Sequence, residues 1–139
     1  MLKIKYVSKE DKAFWFSLDK HLSENEFELK IRDKRGYIIY DDEKPVGLMR
    51  YNLFWDNIPF LTLIYIHESE QGKGIGKQAM LYWENEMRDI GYKMVMTSTQ
   101  VNEEAQHFYR KLGYKDKGAL FLDNTPFEQP QEMFMLKNL

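Results

Sequence analysis

A short apolar run ends at Ile66, and Gln71-Gly72-Lys73-Gly74-Ile75-Gly76 follows, leading into a long amphipathic stretch that reaches Ile90. Three glycines in five positions at the mouth of a helix free the backbone of side chains and admit left-handed conformations. The N–H groups can then turn outward with the helix dipole behind them, and Lys73 and Lys77 stand beside them. Such a mouth binds phosphate or pyrophosphate. A loop that merely turned the chain would need fewer glycines.

The same stretch separates two patterns. Ahead of it, Leu2, Ile4 and Tyr6 alternate with lysines as a half-buried strand. Ser8 predicts a cap for a helix from about Lys9 to Lys20, with Phe14, Trp15 and Leu18 inward. Ser23 predicts a second helix carrying Phe27 and Ile31 and ending before Gly36. Tyr37–Tyr40, Val46–Phe54 and Pro59–Ile66 read as an antiparallel meander, turned at Asp41-Asp42-Glu43-Lys44 and at Asp56-Asn57.

Behind the loop, Ile75, Ala79, Trp83, Met87 and Ile90 recur at helical spacing, with Gly91 as a left-handed cap. Tyr92 to Thr99 reads as a buried strand. Asn102 is expected to open another helix, with Glu103 and Glu104 in its first turn and Ala105, Phe108, Tyr109 and Leu112 inward. Strands at about Tyr114–Leu122 and Met133–Lys137 flank a polar loop, Asp123 to Gln131. Strand, two helices, three strands, helix, strand, helix, two strands: this order gives an α/β (α+β) fold with a mixed seven-stranded sheet and about four helices.

At 139 residues the chain is expected to form one domain, residues 1–139, with its own core. Hydrophobic residues at 43% beside 30% charged residues describe a globular protein. A net charge of −2 supplies no general attraction for nucleic acid. The chain has no cysteine, which excludes disulfides, thiolate metal sites and an acyl-cysteine intermediate. No metal site is expected. The most apolar stretch, Leu53 to Ile66, is broken by Asp56, Asn57 and Pro59 and is too short to span a bilayer. Met1 leads into a polar alternating segment with no signal-peptide core, so a soluble cytoplasmic protein is expected.

Three phosphate-binding readings compete for the glycine loop. A Walker-type P-loop fails because Gln78 replaces the hydroxyl that ligates magnesium and Gln71 replaces the first glycine. A dinucleotide fingerprint is satisfied by Gly74, Gly76 and Ala79. That fingerprint requires a tight turn directly after a strand and an acid about twenty residues on. Here Gly74 stands well past Ile66, and position 94 is Met. The third reading is Gln/Arg-x-x-Gly-x-Gly/Ala after a long strand, met by Gln71, Gly74 and Gly76 behind Leu63-Ile64-Tyr65-Ile66. Farther along, Asn102-Glu103-x-Ala105 leads to Phe108-Tyr109 and Leu112-Gly113-Tyr114.

With these segments joined, the chain resembles the GNAT superfamily of acetyl-CoA-dependent N-acetyltransferases over essentially its whole length. The resemblance implies that backbone amides of Gln71, Gly72, Lys73, Gly74, Ile75 and Gly76, with Lys77 close by, hold the coenzyme A pyrophosphate. It implies splayed central strands, with the backbone of Ile64, Tyr65 and Ile66 pairing with the pantetheine arm and polarising the thioester carbonyl, an oxyanion hole built without side chains. It implies that Asn102 contacts the coenzyme, a position that a preferred helix cap would also occupy. It implies that Tyr109, seven residues later, protonates the departing thiolate.

The chain departs from the pattern at the general base. Phe60 and Thr97 stand where some relatives carry glutamate. His67, Glu68, Asp19, His21 or a water chain remain, and direct attack by an unprotonated amine needs none of them. Acetyl transfer from acetyl-CoA to a small-molecule or peptide amine, directly in a ternary complex, is the function implied. A non-catalytic acyl-CoA-binding or regulatory module is the alternative. C-terminal edge strands are compatible with a homodimer.

Overall fold

The computed structural model describes all 139 residues. Seven strands and four α-helices follow in the order β1 (Leu2–Tyr6), α1 (Lys12–Leu18), α2 (Glu24–Asp33), β2 (Gly36–Asp41), β3 (Lys44–Phe54), β4 (Ile58–Ile66), α3 (Ile75–Ile90), β5 (Met94–Gln100), α4 (Ala105–Lys111), β6 (Lys115–Leu120) and β7 (Glu132–Asn138). The strands form one sheet in the order β1-β2-β3-β4-β5-β7-β6. β4 and β5 pair in parallel, while β1–β2, β2–β3, β5–β7 and β6–β7 are antiparallel. The mixed sheet and helix count expected from the sequence are therefore present. The β4–β5 register covers Phe60↔Met96 and Leu61↔Thr97 and extends no farther along β4.

The chain divides into two compact units, Met1–Asn52 with Thr62–Glu86, and Leu53–Leu61 with Met87–Leu139. In the first, Val7, Trp15, Phe27, Ile38 and Leu48 form a buried cluster flanked by Phe14, Leu18, Ile31 and Tyr40. Buried Ile75, Ala79, Met80 and Trp83 form one stripe of α3, as its 3.6-residue period requires. Tyr51 of β3 packs on Trp83 with ring centroids 5.7 Å apart. Tyr37 and Tyr6 donate to the Glu86 carboxylate at 2.6 and 3.2 Å, fixing α3 to the first two strands. Burial and then Glu86 raise both phenols, Tyr6 to about 12. The Trp83 indole nitrogen is buried without a hydrogen-bond partner.

In the second unit Val95, Met96, Thr97, Thr99, Tyr109, Tyr114 and Met135 are buried. β6 is exposed along its whole length as an edge strand. No helix is long and apolar enough to cross a membrane.

Two sequence expectations need correction. The first helix is shorter than Lys9–Lys20: Lys9–Asp11 is a 3₁₀ turn, and α1 stops at Leu18. Asp19 leaves the helix to bind the Trp15 indole and Arg50. Ile90, placed on the inner stripe of α3 by its spacing, is 58% exposed. It occupies the last residue of the helix, beside the Gly91 cap at φ 116.

Candidate active site

In the first unit β4 ends where the His67 N–H bonds back to the Val46 carbonyl at 2.7 Å. A 3₁₀ turn, Glu68–Glu70, carries the chain to Gln71, whose side-chain amide reaches back to donate to the Ile66 carbonyl at 2.9 Å. Gly72 and Gly74 are left-handed at φ 80 and 81, conformations disfavoured for residues with a Cβ. A Cβ on either would meet no atom within 4 Å, so the loop faces open space. Gln71 N donates to Glu68 O and Gln78 N to Gly74 O, whereas the N–H groups of Gly72 through Lys77 find no backbone acceptor. Those donors lead directly into the N-terminus of α3. They form a cradle suited to a diphosphate anion.

Lys73 lies 3.4 Å from the Glu70 carboxylate, which is 11% exposed and also has Lys44 at 3.8 Å. Lys73 is itself 56% exposed, and Lys44 remains as a partner of Glu70 if Lys73 turns toward an anion. The strand behind the loop is held by a close approach: a Cβ on Gly47 of β3 would stand 2.6 Å from the Tyr65 carbonyl and 3.3 Å from the Ile66 Cα. Ile64 and Ile66 are half-buried and Tyr65 is 39% exposed.

In the second unit Tyr109 is 6% exposed on α4, with Phe108 and Tyr114 rings at 5.3 and 5.8 Å. Burial raises its phenol pKa, a hydrogen bond with Thr97 acts in the opposite direction, and the Glu103 charge adds to the rise. The Thr97 hydroxyl itself donates to the Leu61 carbonyl at 3.2 Å. Tyr109 is thus a neutral, proton-bearing donor in a dry setting.

A family model described as the Acetyltransferase (GNAT) family matches residues 4–114. The chain belongs to the GNAT acetyltransferase family. No curated protein sequence matches it. Among solved structures, Arabidopsis thaliana Naa50, in complex with the bisubstrate analogue CoA-Ac-MVNAL, is similar with a TM-score of 0.81 at 14% identity, covering 99% of both chains. The ribosomal-protein-S18-alanine N-acetyltransferase from Escherichia coli is similar with a TM-score of 0.82 at 15% identity, covering 99% of this chain and 94% of that one. A GNAT family acetyltransferase from Elizabethkingia anophelis with acetyl-CoA bound gives 0.80 at 16%, covering 99% and 98%. At such identities these likenesses establish the fold.

The GNAT chain departs from the sequence expectation at Asn102. It does not open a helix: Val101 and Asn102 form a turn, and α4 begins at Ala105. The Glu103 carboxylate accepts from Gln100 N at 2.9 Å, and the Gln106 side chain bonds the Val101 and Glu103 carbonyls. These side chains satisfy the turn in place of an Asn102 cap, so Asn102 and Tyr109 do not share a helical face.

The base candidates also separate. Asp19 is buried; burial opposes its charge, but Arg50 at 2.8 Å, the His21 N–H and the Trp15 indole overcome that and lower its pKa. It is a structural anion. His67 Nδ1 lies 3.2 Å from Ser69 N and 2.8 Å from the Ser69 hydroxyl, so that nitrogen is engaged within its own turn. His21 and Glu68 are exposed. Sequence reasoning missed Gly47 and the Gln71 tether. An isolated glycine inside a strand pattern is a signal for close backbone approach, whereas a glutamine reaching back to a strand carbonyl leaves no pattern.

Proposed function

We propose that this GNAT enzyme moves an acetyl group from acetyl-CoA to a primary amine, with residues 1–139 acting as one N-acetyltransferase domain. The observation that carries the reading is the run of N–H groups from Gly72 to Lys77 that find no backbone acceptor at the N-terminus of α3, in a loop open at Gly72 and Gly74. In this reading, Gln71, Gly72, Lys73, Gly74, Ile75 and Gly76 cradle the pyrophosphate and Lys77 adds charge. Ile64, Tyr65 and Ile66 offer backbone groups to the pantetheine arm and thioester, and Asn102 contacts the coenzyme from its turn. The amine nitrogen bonds to the acetyl carbonyl carbon, the carbon–sulfur bond breaks, and the sulfur leaves with the electron pair. Tyr109 donates a hydrogen bond to that sulfur, and the proton lost by nitrogen passes to solvent. Direct transfer in a ternary complex suits a chain without cysteine.

Support for the donor comes from the Elizabethkingia relative with acetyl-CoA bound. Support for an amine acceptor, small-molecule or peptide, comes from the peptide-bearing Naa50 analogue and from the alanine N-acetyltransferase of Escherichia coli. A cytoplasmic location is part of the proposal. The exposed β6 edge offers a surface for a homodimer. Nucleic acid and membrane have no part in the reading.

The test exploits the missing cysteines, because released coenzyme A is the only thiol in the assay. Acetyl-CoA at about a hundred times its Kd should stabilise the protein by about 2.7 kcal/mol in a thermal shift. Thiol release should then rise on adding amines. Stabilisation with no amine-dependent release would instead mark a non-catalytic acyl-CoA-binding module.

A further inference from the structure

β5 and β7 give the second unit two unlike faces. One carries Val95, Thr97, Thr99 and Met135, all buried, with Tyr109 bonded at Thr97. On the other, the register sets Ser98 opposite Phe134 and Gln100 opposite Glu132, and these four are half-buried. Phe60 joins that face with its ring 5.9 Å from Phe134. Phe54 stands 6.3 Å from Phe60, and Trp55 4.8 Å from Phe54. The rings form a row ending at Trp55, 79% exposed on a hairpin tip where Trp55 and Asp56 are left-handed at φ 55 and 57. A bulky residue rarely adopts that conformation.

Glu132 closes the row at its other end, two residues from Phe134 on the same face and about 7 Å along the strand. Its carboxylate has one partner, the Gln129 amide at 3.4 Å, and Gln129 accepts from Gln100 at 3.1 Å. A half-buried carboxylate engaged by one long hydrogen bond retains most of its demand for a cation. The aromatic row beside it supplies an apolar wall whose polar neighbours on the face are Ser98, Gln100 and Glu132. A peptide laid on this wall would bring amide groups that the rings cannot satisfy. An amine whose body is itself a ring brings none.

We propose, resting on the acetyl-transfer reading, that the acceptor is a small primary amine joined by a short alkyl arm to an aromatic ring. The ring packs against the edge-to-face array of Phe54, Phe60 and Phe134; the ammonium docks on Glu132 and gives up a proton to solvent before the free amine attacks the acetyl carbon. About 7 Å of strand between Phe134 and Glu132 sets the length of the arm.

The experiment measures steady-state kinetics at saturating acetyl-CoA with 2-phenylethylamine, n-propylamine and a short peptide beginning with phenylalanine. The wild type should show a kcat/KM for 2-phenylethylamine at least about tenfold above that for n-propylamine. Glu132→Gln should raise the KM for the amine about tenfold or more while the KM for acetyl-CoA holds. Phe60→Leu should narrow the preference for the ring. Calorimetric binding of 2-phenylethylamine to the coenzyme A complex, lost in E132Q, gives a readout independent of turnover. Retained acetyl-CoA thermal shift in each variant shows that it folds. Equal rates for the two amines, an unmoved KM in E132Q, or preference for the peptide overturns the acceptor assignment and leaves acetyl transfer standing. Absence of thiol release with every amine overturns the acetyl-transfer reading itself.

Discussion

Tyr109 holds its proton more firmly than a tyrosine in water, because burial disfavours the phenolate. A phenol above the usual value of about 10 facing a thiol of about 8.5 does not hand its proton over outright. The contribution proposed for it is a hydrogen bond to charge as it develops on sulfur. Tyr109→Phe is therefore expected to lower kcat about tenfold to a thousandfold while calorimetry shows acetyl-CoA binding kept. The raised pKa also fixes the sign of the pH dependence: this hydrogen bond is present throughout neutral pH and is lost only on the alkaline side of the ordinary tyrosine range. An unchanged kcat in the phenylalanine variant would remove Tyr109 from the chemistry.

In the proposed reading coenzyme binding rests on the loop before α3, whose left-handed positions are Gly72 and Gly74. Gly74→Ala places a Cβ on a left-handed backbone and should destabilise the protein by about 1 kcal/mol, with weaker acetyl-CoA binding in the same calorimetric assay. Gly118→Ala, at an exposed position with open space and no positive φ, is the matched control and should change neither. This loop and the helix after it were readable from sequence because glycine spacing and a 3.6-residue apolar period are local signals. The structure gives α3 as Ile75–Ile90, the span that the apolar spacing marked out. The Ser23 cap was equally local, and Ser23 accepts from Glu26 N at 3.1 Å. Asn102 failed because two longer side chains, Glu103 and Gln106, satisfy the turn that a capping asparagine would have served. The end of α1 failed because Asp19 is drawn out by Arg50, 31 residues away in sequence. Tertiary partners of that kind leave no trace in a local window. The meeting of Glu132, Phe134 and Phe60 on one face was invisible for the same reason, since strand pairing alone brings them together.

At the scale of the whole molecule, stability should carry the signature of the buried Asp19 carboxylate. Asp19 is lowered in the folded state below the unfolded value of about 3.9. Its contribution is therefore complete above that unfolded value and drains away as the pH falls through the folded one. Urea midpoints should decline on the acid side of pH 4, and Asp19→Asn should be less stable at pH 7 with a flatter acid limb. The three tryptophans also give the chain an optical asymmetry. Trp15 and Trp83 are fully buried in the first unit, and Trp55 stands in water on the second. Blue-shifted emission thus belongs to one unit and red-shifted, iodide-quenchable emission to the other. An indole two residues from the hairpin's Asn57, and next to Phe54, becomes a built-in reporter for whatever settles on the aromatic row.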